Sequence, residues 1–186
     1  MANKSNVVAL GPKTLTGGVF VAPKGTALPV DGTTALNVAF KDAGYVGESG
    51  LTMTINKSNT KIRDWGKGVV KVIQTEHDVQ FAWEYIELNV DSAKAFFGAA
   101  NVTETSGKLT IKVNDATVAD AVYVFEMADG DYPVRIVVPS GALATEGGEF
   151  AFNRDDVLRI PMQIEALKDD ATGNNALIYA GKTVTP

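Results

Sequence analysis

The chain contains no cysteine and a single histidine, His77. Without cysteine there are no disulfides, thiolate zinc sites or cysteine nucleophiles, so the fold rests on packing. His77 falls beside an apolar strand with no thiol to partner it, and reads as structural or solvent-facing. No apolar run approaches the ~20 residues of a membrane span. Only Val7 to Leu10 precede Gly11-Pro12, too few for a signal-peptide core, and Ala2 stands where myristoylation needs glycine. A basic excess is missing too. With 17 basic and 22 acidic residues the formal charge is -5, which argues against a surface built to grip a duplex by neutralising phosphates.

Catalytic inventories fail in the same way. Phosphate loops and dinucleotide fingerprints are absent. Gly47-Glu48-Ser49-Gly50 falls short of a nucleophile elbow, because Leu51 occupies the position of the second required glycine. Asp129-Gly130-Asp131 has the composition of a hairpin turn, and neither it nor Asp169-Asp170 continues into calcium-loop spacing. Glu76, Asp78, Glu84 and Glu87 read as a solvated strand face in preference to a glycosidase carboxylate pair. The expectation is a protein that is not an enzyme, with no catalytic, cofactor or metal site.

What is present is a succession of strands. From Asp78 to Leu88 the residues alternate, with Val79, Phe81, Trp83 and Tyr85 on one face and Asp78, Gln80 and Glu84 on the other, the signature of a half-buried strand. Gly68 to Gln74 is β-branched and joins it into one extended arm, with a bulge or break expected near Gln74-Thr75. Between Tyr45 and Trp65 lies a polar tract, read as a long loop over 47–66 that is disordered or meets another molecule. Further strands are expected at Gly18–Ala22, Leu109–Val113, Ala121–Met127, Tyr132–Val138, Glu149–Asn153 and Val157–Leu167, with Ala35–Phe40 either strand or a helical turn. Asp91 is the expected N-cap of one helix over 91–98, whose Phe96 and Phe97 cover an opening of the core. Length suits one domain with a radius of gyration of about 16 Å. Its expected limits are 17–167, between an N-terminal arm, 1–16, and a C-terminal arm, 168–186. The class is mainly β, a single-domain sandwich or barrel with one flanking helix and a long inter-strand loop.

Several word-like stretches narrow this further: Val21-Ala22-Pro23-Lys24-Gly25-Thr26, Ala35-Leu36, Phe40-Lys41-Asp42-Ala43-Gly44-Tyr45-Val46, Lys61-Ile62-Arg63-Asp64-Trp65-Gly66 and Val72-Ile73-Gln74-Thr75. In order and spacing the chain resembles the major tail protein, or tail tube protein, of long-tailed siphovirus-type bacteriophages, particularly those of actinobacteria. The match is good in the first half and looser through Tyr132 to Leu167. The resemblance implies a virion protein, assembled in the host cytoplasm, whose copies join into hexameric rings. Rings stack into a tail tube through which the genome is ejected. It also implies a tape-measure protein and a tail terminator as partners, double-stranded DNA passing through the lumen without specific binding, and no membrane. In such a tube the loop 47–66 is the inter-ring stacking loop, with Lys57, Lys61, Ile62, Arg63, Asp64 and Trp65 as contact candidates. Asp78, Gln80 and Glu84 are the lumen-facing candidates. The alternative is a monomeric β-sandwich binding module, for carbohydrate for example, using Trp65 or Tyr132 as an aromatic platform. It leaves the loop and the two arms unexplained.

Overall fold

The computed structural model describes residues 7–15, 17–144, 149–152 and 154–181. Two-residue periodicity sets most of what it contains. β1 (Gly11–Pro12), β2 (Val19–Pro23), β3 (Lys41–Asp42), β4 (Thr52–Arg63) and β5 (Val69–Tyr85) precede the helix α1 (Val90–Phe97). β6 (Val102–Thr105), β7 (Lys108–Ile111), β8 (Ala121–Asp129), β9 (Tyr132–Leu143), β10 (Ile160–Ala166) and β11 (Leu177–Ala180) follow it. All but β6 and β7 belong to one antiparallel sheet ordered β3-β2-β8-β9-β10-β5-β4, with β1 added to β8 and β11 to β9. The expected mainly β architecture with one flanking helix is the one observed.

The sheet curls until β2 and β8 lie across a shared core from β5. Val79, Phe81, Trp83 and Tyr85 are all buried there with Tyr123, Phe125, Ile136, Val138, Ile160, Met162 and Ile164. Trp83 is the hub: its ring meets Phe125 edge-on at 5.1 Å between centroids, and Tyr85 and Tyr123 at 5.8 Å each. Such contacts add to the burial of large aromatic surfaces. A second core forms on the opposite face of β8 and β9, where Val122, Val124 and Val137 pack with Ala22 and Phe40. Apolar residues run almost without interruption through these two strands because both of their faces are covered.

Several local expectations change. β9 does not stop before Pro139-Ser140-Gly141 but runs to Leu143, and Pro139 lies within a register shift where the strand leaves β8 and takes up β10. A proline without an N–H is tolerated where no ladder bond is required. Asn89, not Asp91, caps α1: its side chain accepts from the N–H groups of Asp91 and Ser92, while the Ser92 hydroxyl accepts from the Asn89 N–H, completing a capping box. Asp91 sits in the first turn, where a carboxylate suits the helix dipole. Phe96 and Phe97 cluster with Phe150, and Phe96 reaches the main core. Ala35–Phe40 forms neither strand nor helix. No strand forms in 149–152, and Asn153 lies outside the described residues. β6 went unforeseen; it turns into β7 through Ser106-Gly107, both at positive φ, as a two-residue hairpin requires.

Candidate assembly interface

The largest departure from sequence expectation is also the most informative. The segment expected as a long polar loop over 47–66 is mostly strand: β4 pairs with β5 from Thr52↔Ala82 to Arg63↔Val69. Together they form a hairpin that leaves the body at about Asn56↔Asp78 and continues as a projecting arm. Beyond that pair every residue of both strands is exposed. The bulge expected near Gln74-Thr75 is present, since Ser58 pairs with Glu76 and Asn59 with Gln74, leaving Thr75 extra; its hydroxyl bonds back to the Ser58 carbonyl at 3.2 Å. A second irregularity leaves Val70 extra. An isolated two-stranded hairpin is marginal in water. This one is held because β5 is a single 17-residue strand whose other half is buried in the sheet.

Alternation along β4 sorts the arm into two faces. On the side continuous with the core stand Ile55, Lys57, Asn59, Lys61 and Arg63, opposite Val79, His77, Gln74, Val72 and Val69. On the other stand Thr54, Asn56, Ser58, Thr60 and Ile62, opposite Gln80, Asp78, Glu76, Ile73 and Lys71. At the tip, the Asp64 carboxylate accepts the Gly68 N–H at 2.6 Å, the Asp64 N–H donates to the Gly68 carbonyl at 2.9 Å, and the Arg63 guanidinium donates to the Lys67 carbonyl at 2.9 Å. Lys67 takes a positive φ of 66° to close this turn. Arg63 and Asp64 are therefore occupied in shaping the tip, whereas Trp65, next in the chain, is fully exposed. Lys57, Lys61 and Ile62 project from the shaft and are exposed.

Asp78, Gln80 and Glu84 lie on the face of β5 that points away from the core, with Thr52 and Thr54 of β4 alongside. β10 extends the same face with Gln163 and Glu165. Gln163 Nε2 donates across the strands to Gln80 Oε1 at 3.2 Å, and Arg159, just before β10, donates from Nη1 to Glu84 Oε2 at 3.1 Å. The Glu84 and Asp156 carboxylates beside Arg159 raise its already high pKa. This face is polar, mixed in charge and built on rigid strands. Among the described residues β4 closes the sheet with an outer edge to which no further strand is added, whereas the opposite edge strand, β3, is only 2 residues long. A long open edge is a template for another chain. No group of acidic or histidine side chains able to hold a metal ion occurs among the described residues, and no helix there is long and apolar enough to cross a membrane.

Charge and turn composition hinted at this arm, and Asp64-Trp65-Gly66-Lys67-Gly68 is a legible hairpin turn. The run Asn56 to Lys61 hides the strand because it lacks the apolar face that reveals a half-buried one.

No curated protein matches the chain. Among solved structures, the cap that terminates the tube of the anti-feeding prophage is remotely similar, at 11% identity and a TM-score of 0.43, over 97% of this chain and 100% of that one. The family model described as Phage tail tube protein matches residues 1–182. With nearly its whole length matched by that model, the chain belongs to the phage tail tube protein family and is a structural component of the virion tail.

Proposed function

We propose that six copies of this chain close into a ring, that rings stack into the tail tube, and that the genome leaves through the lumen. The observation that carries this reading is the arm, a hairpin exposed on both faces and continuous with the core sheet. A solitary subunit gains nothing from such a projection, which leaves a long strand edge open. Stacked copies would cover it. In this reading Lys57, Lys61, Ile62 and Trp65 make the ring-to-ring contact, and Arg63 and Asp64 hold the tip in shape. The polar face with Asp78, Gln80 and Glu84 lines the lumen, where carboxylates and amides offer DNA phosphates no counterion release and let the duplex slide. A tape-measure protein inside the tube and a terminator at its end are the further partners that the resemblance implies.

The test removes the arm from both strands at once, by replacing Ser58–Glu76 with Asn-Gly so that Lys57 and His77 flank a two-residue turn. The purified variant is expected to keep the melting temperature of the parent and to form no tubes by negative-stain microscopy, while the parent forms them. It is also expected to fail in tail assembly in infected cells. Tails of normal length from the truncated chain would remove the arm from the mechanism.

A further inference from the structure

Charge is distributed unevenly between arm and body. Between Asn56 and Asp78, the pair at which the arm begins, five basic residues, Lys57, Lys61, Arg63, Lys67 and Lys71, stand against Asp64 and Glu76, a net of +3; as the whole chain carries -5, the remainder carries -8. At the far end of β5, where the strand leaves the sheet, acids gather. The Glu87 carboxylate accepts the Tyr45 N–H at 3.2 Å, the Ile86 N–H donates to the Tyr45 carbonyl, and Glu48 stands exposed two residues beyond the Val46↔Tyr85 bridge. Glu84 and Asp156 flank Arg159 at the same end, and Asp155 is exposed next to them. Arg159, which is shared between two carboxylates, and Arg154 are basic residues of the same stretch. Apolar groups accompany the acids, since Tyr45, Leu88 and Val157 are each about half exposed. The arm offers the complement, basic side chains around the exposed Trp65, Ile62 and Val70.

A 17-residue strand at about 3.3 Å per residue places tip and acidic end on the order of 55 Å apart, so they cannot meet within one chain. We infer that the arm tip of one copy docks on the acidic end of the next, around Glu48, Glu87 and Asp155. This rests on the stacking reading and names the surface that receives the arm. The contact is heterologous, basic tip to acidic end, and so repeats without closing on itself. Complementary charge sets the direction of addition and speeds encounter, and Trp65 supplies the apolar anchor.

Paired charge reversals test it. Lys61→Glu with Lys67→Glu makes an arm-reversed chain; Glu48→Lys with Asp155→Lys makes an end-reversed one. Each alone is expected to melt like the parent and to lose tubes, with at least a tenfold drop in sedimentable polymer. An equal mixture of the two, or one chain carrying all four changes, is expected to recover them. End-reversed chains that elongate like the parent, or a mixture that stays without tubes, would overturn the docking surface while leaving stacking intact. A parent that never forms tubes overturns the stacking reading and this inference with it. Should the end-reversed chain melt early, Glu48→Gln with Asp155→Asn replaces it; slower elongation with weaker salt dependence supports the inference, and unchanged elongation overturns it.

Discussion

Glu126 and Arg135 face one another across the β8–β9 ladder, and the buried guanidinium donates both to the Glu126 carboxylate and to the carbonyls of Asp31 and Thr34, at 2.7 and 2.8 Å. Lys13 approaches the other carboxylate oxygen at 3.5 Å. One arginine thus fastens the irregular segment around Asp31–Thr34 to the sheet beside the second core.

Removing one partner of this pair leaves the other charge buried and unmatched. Arg135→Ala is expected to cost about 3–5 kcal/mol in denaturant unfolding, and Arg135→Met with Glu126→Gln considerably less. A double variant no more stable than Arg135→Ala would show that the carbonyl contacts, not the charge pair, dominate.

Gly18 takes a φ of +70°, and an added Cβ would lie 2.2 Å from the Glu126 carbonyl oxygen. Gly18→Ala must move the backbone of β8 or of β2, so loss of soluble folded protein is expected. Gly25, also at positive φ but with open space around it, serves as the control: Gly25→Ala costs only the backbone strain, about 1 kcal/mol. Equal behaviour of the two would contradict the steric argument.

Truncating Trp83, the hub of the aromatic cluster, is expected to cost about 3–5 kcal/mol as Trp83→Ala. Trp65→Ala, on a residue as large but fully exposed, should leave the melting temperature unchanged and act on assembly alone. Calorimetry of both variants separates the two tryptophans.

Burial pushes the phenols of Tyr85 and Tyr123 above the ordinary tyrosine range, because an ionised oxygen would be stranded in the apolar core. A raised folded-state pKa means that this stabilisation is fully present below about pH 10 and is lost as pH climbs beyond it. Absorbance titration near the tyrosinate band should show Tyr85 and Tyr123 silent until the chain unfolds. Early ionisation of these two would place water in the core.

For the lumen, Asp78→Lys with Glu84→Lys is expected to leave tubes assembling and to slow genome ejection in a salt-dependent way. Glu84 loses its Arg159 partner in that variant, so Glu84→Gln is the control for structure alone. A reconstruction with these side chains on the outer surface would refute the assignment.

How far the sequence could be read follows from how each strand is buried. β5 was legible because Val79, Phe81, Trp83 and Tyr85 alternate with polar residues against one core, and β8 because its apolar run is sandwiched between two. β4 was not, since Asn56 to Lys61 contact solvent on both faces and carry no periodic signal. The N-cap slipped by two residues for a related reason: Asn89 and Asp91 are both competent caps, and the choice is made by Ser92, whose hydroxyl also reaches the Glu87 carbonyl. The charges of the arm were visible in sequence, yet their division between two faces depends on the register with β5, which no local pattern specifies.

Because β5 passes unbroken from the core into the arm, the projection is also a tendon. A pull on its tip acts along the strand and at right angles to the ladder bonds that tie it to β10 and β4. Those bonds are loaded in shear and share the force, where a hairpin attached by a loop would peel open one bond at a time. Bending finds a softer place, since Thr75 interrupts the ladder near the base of the arm. The subunit therefore resists stretching along β5 while yielding sideways at a defined joint.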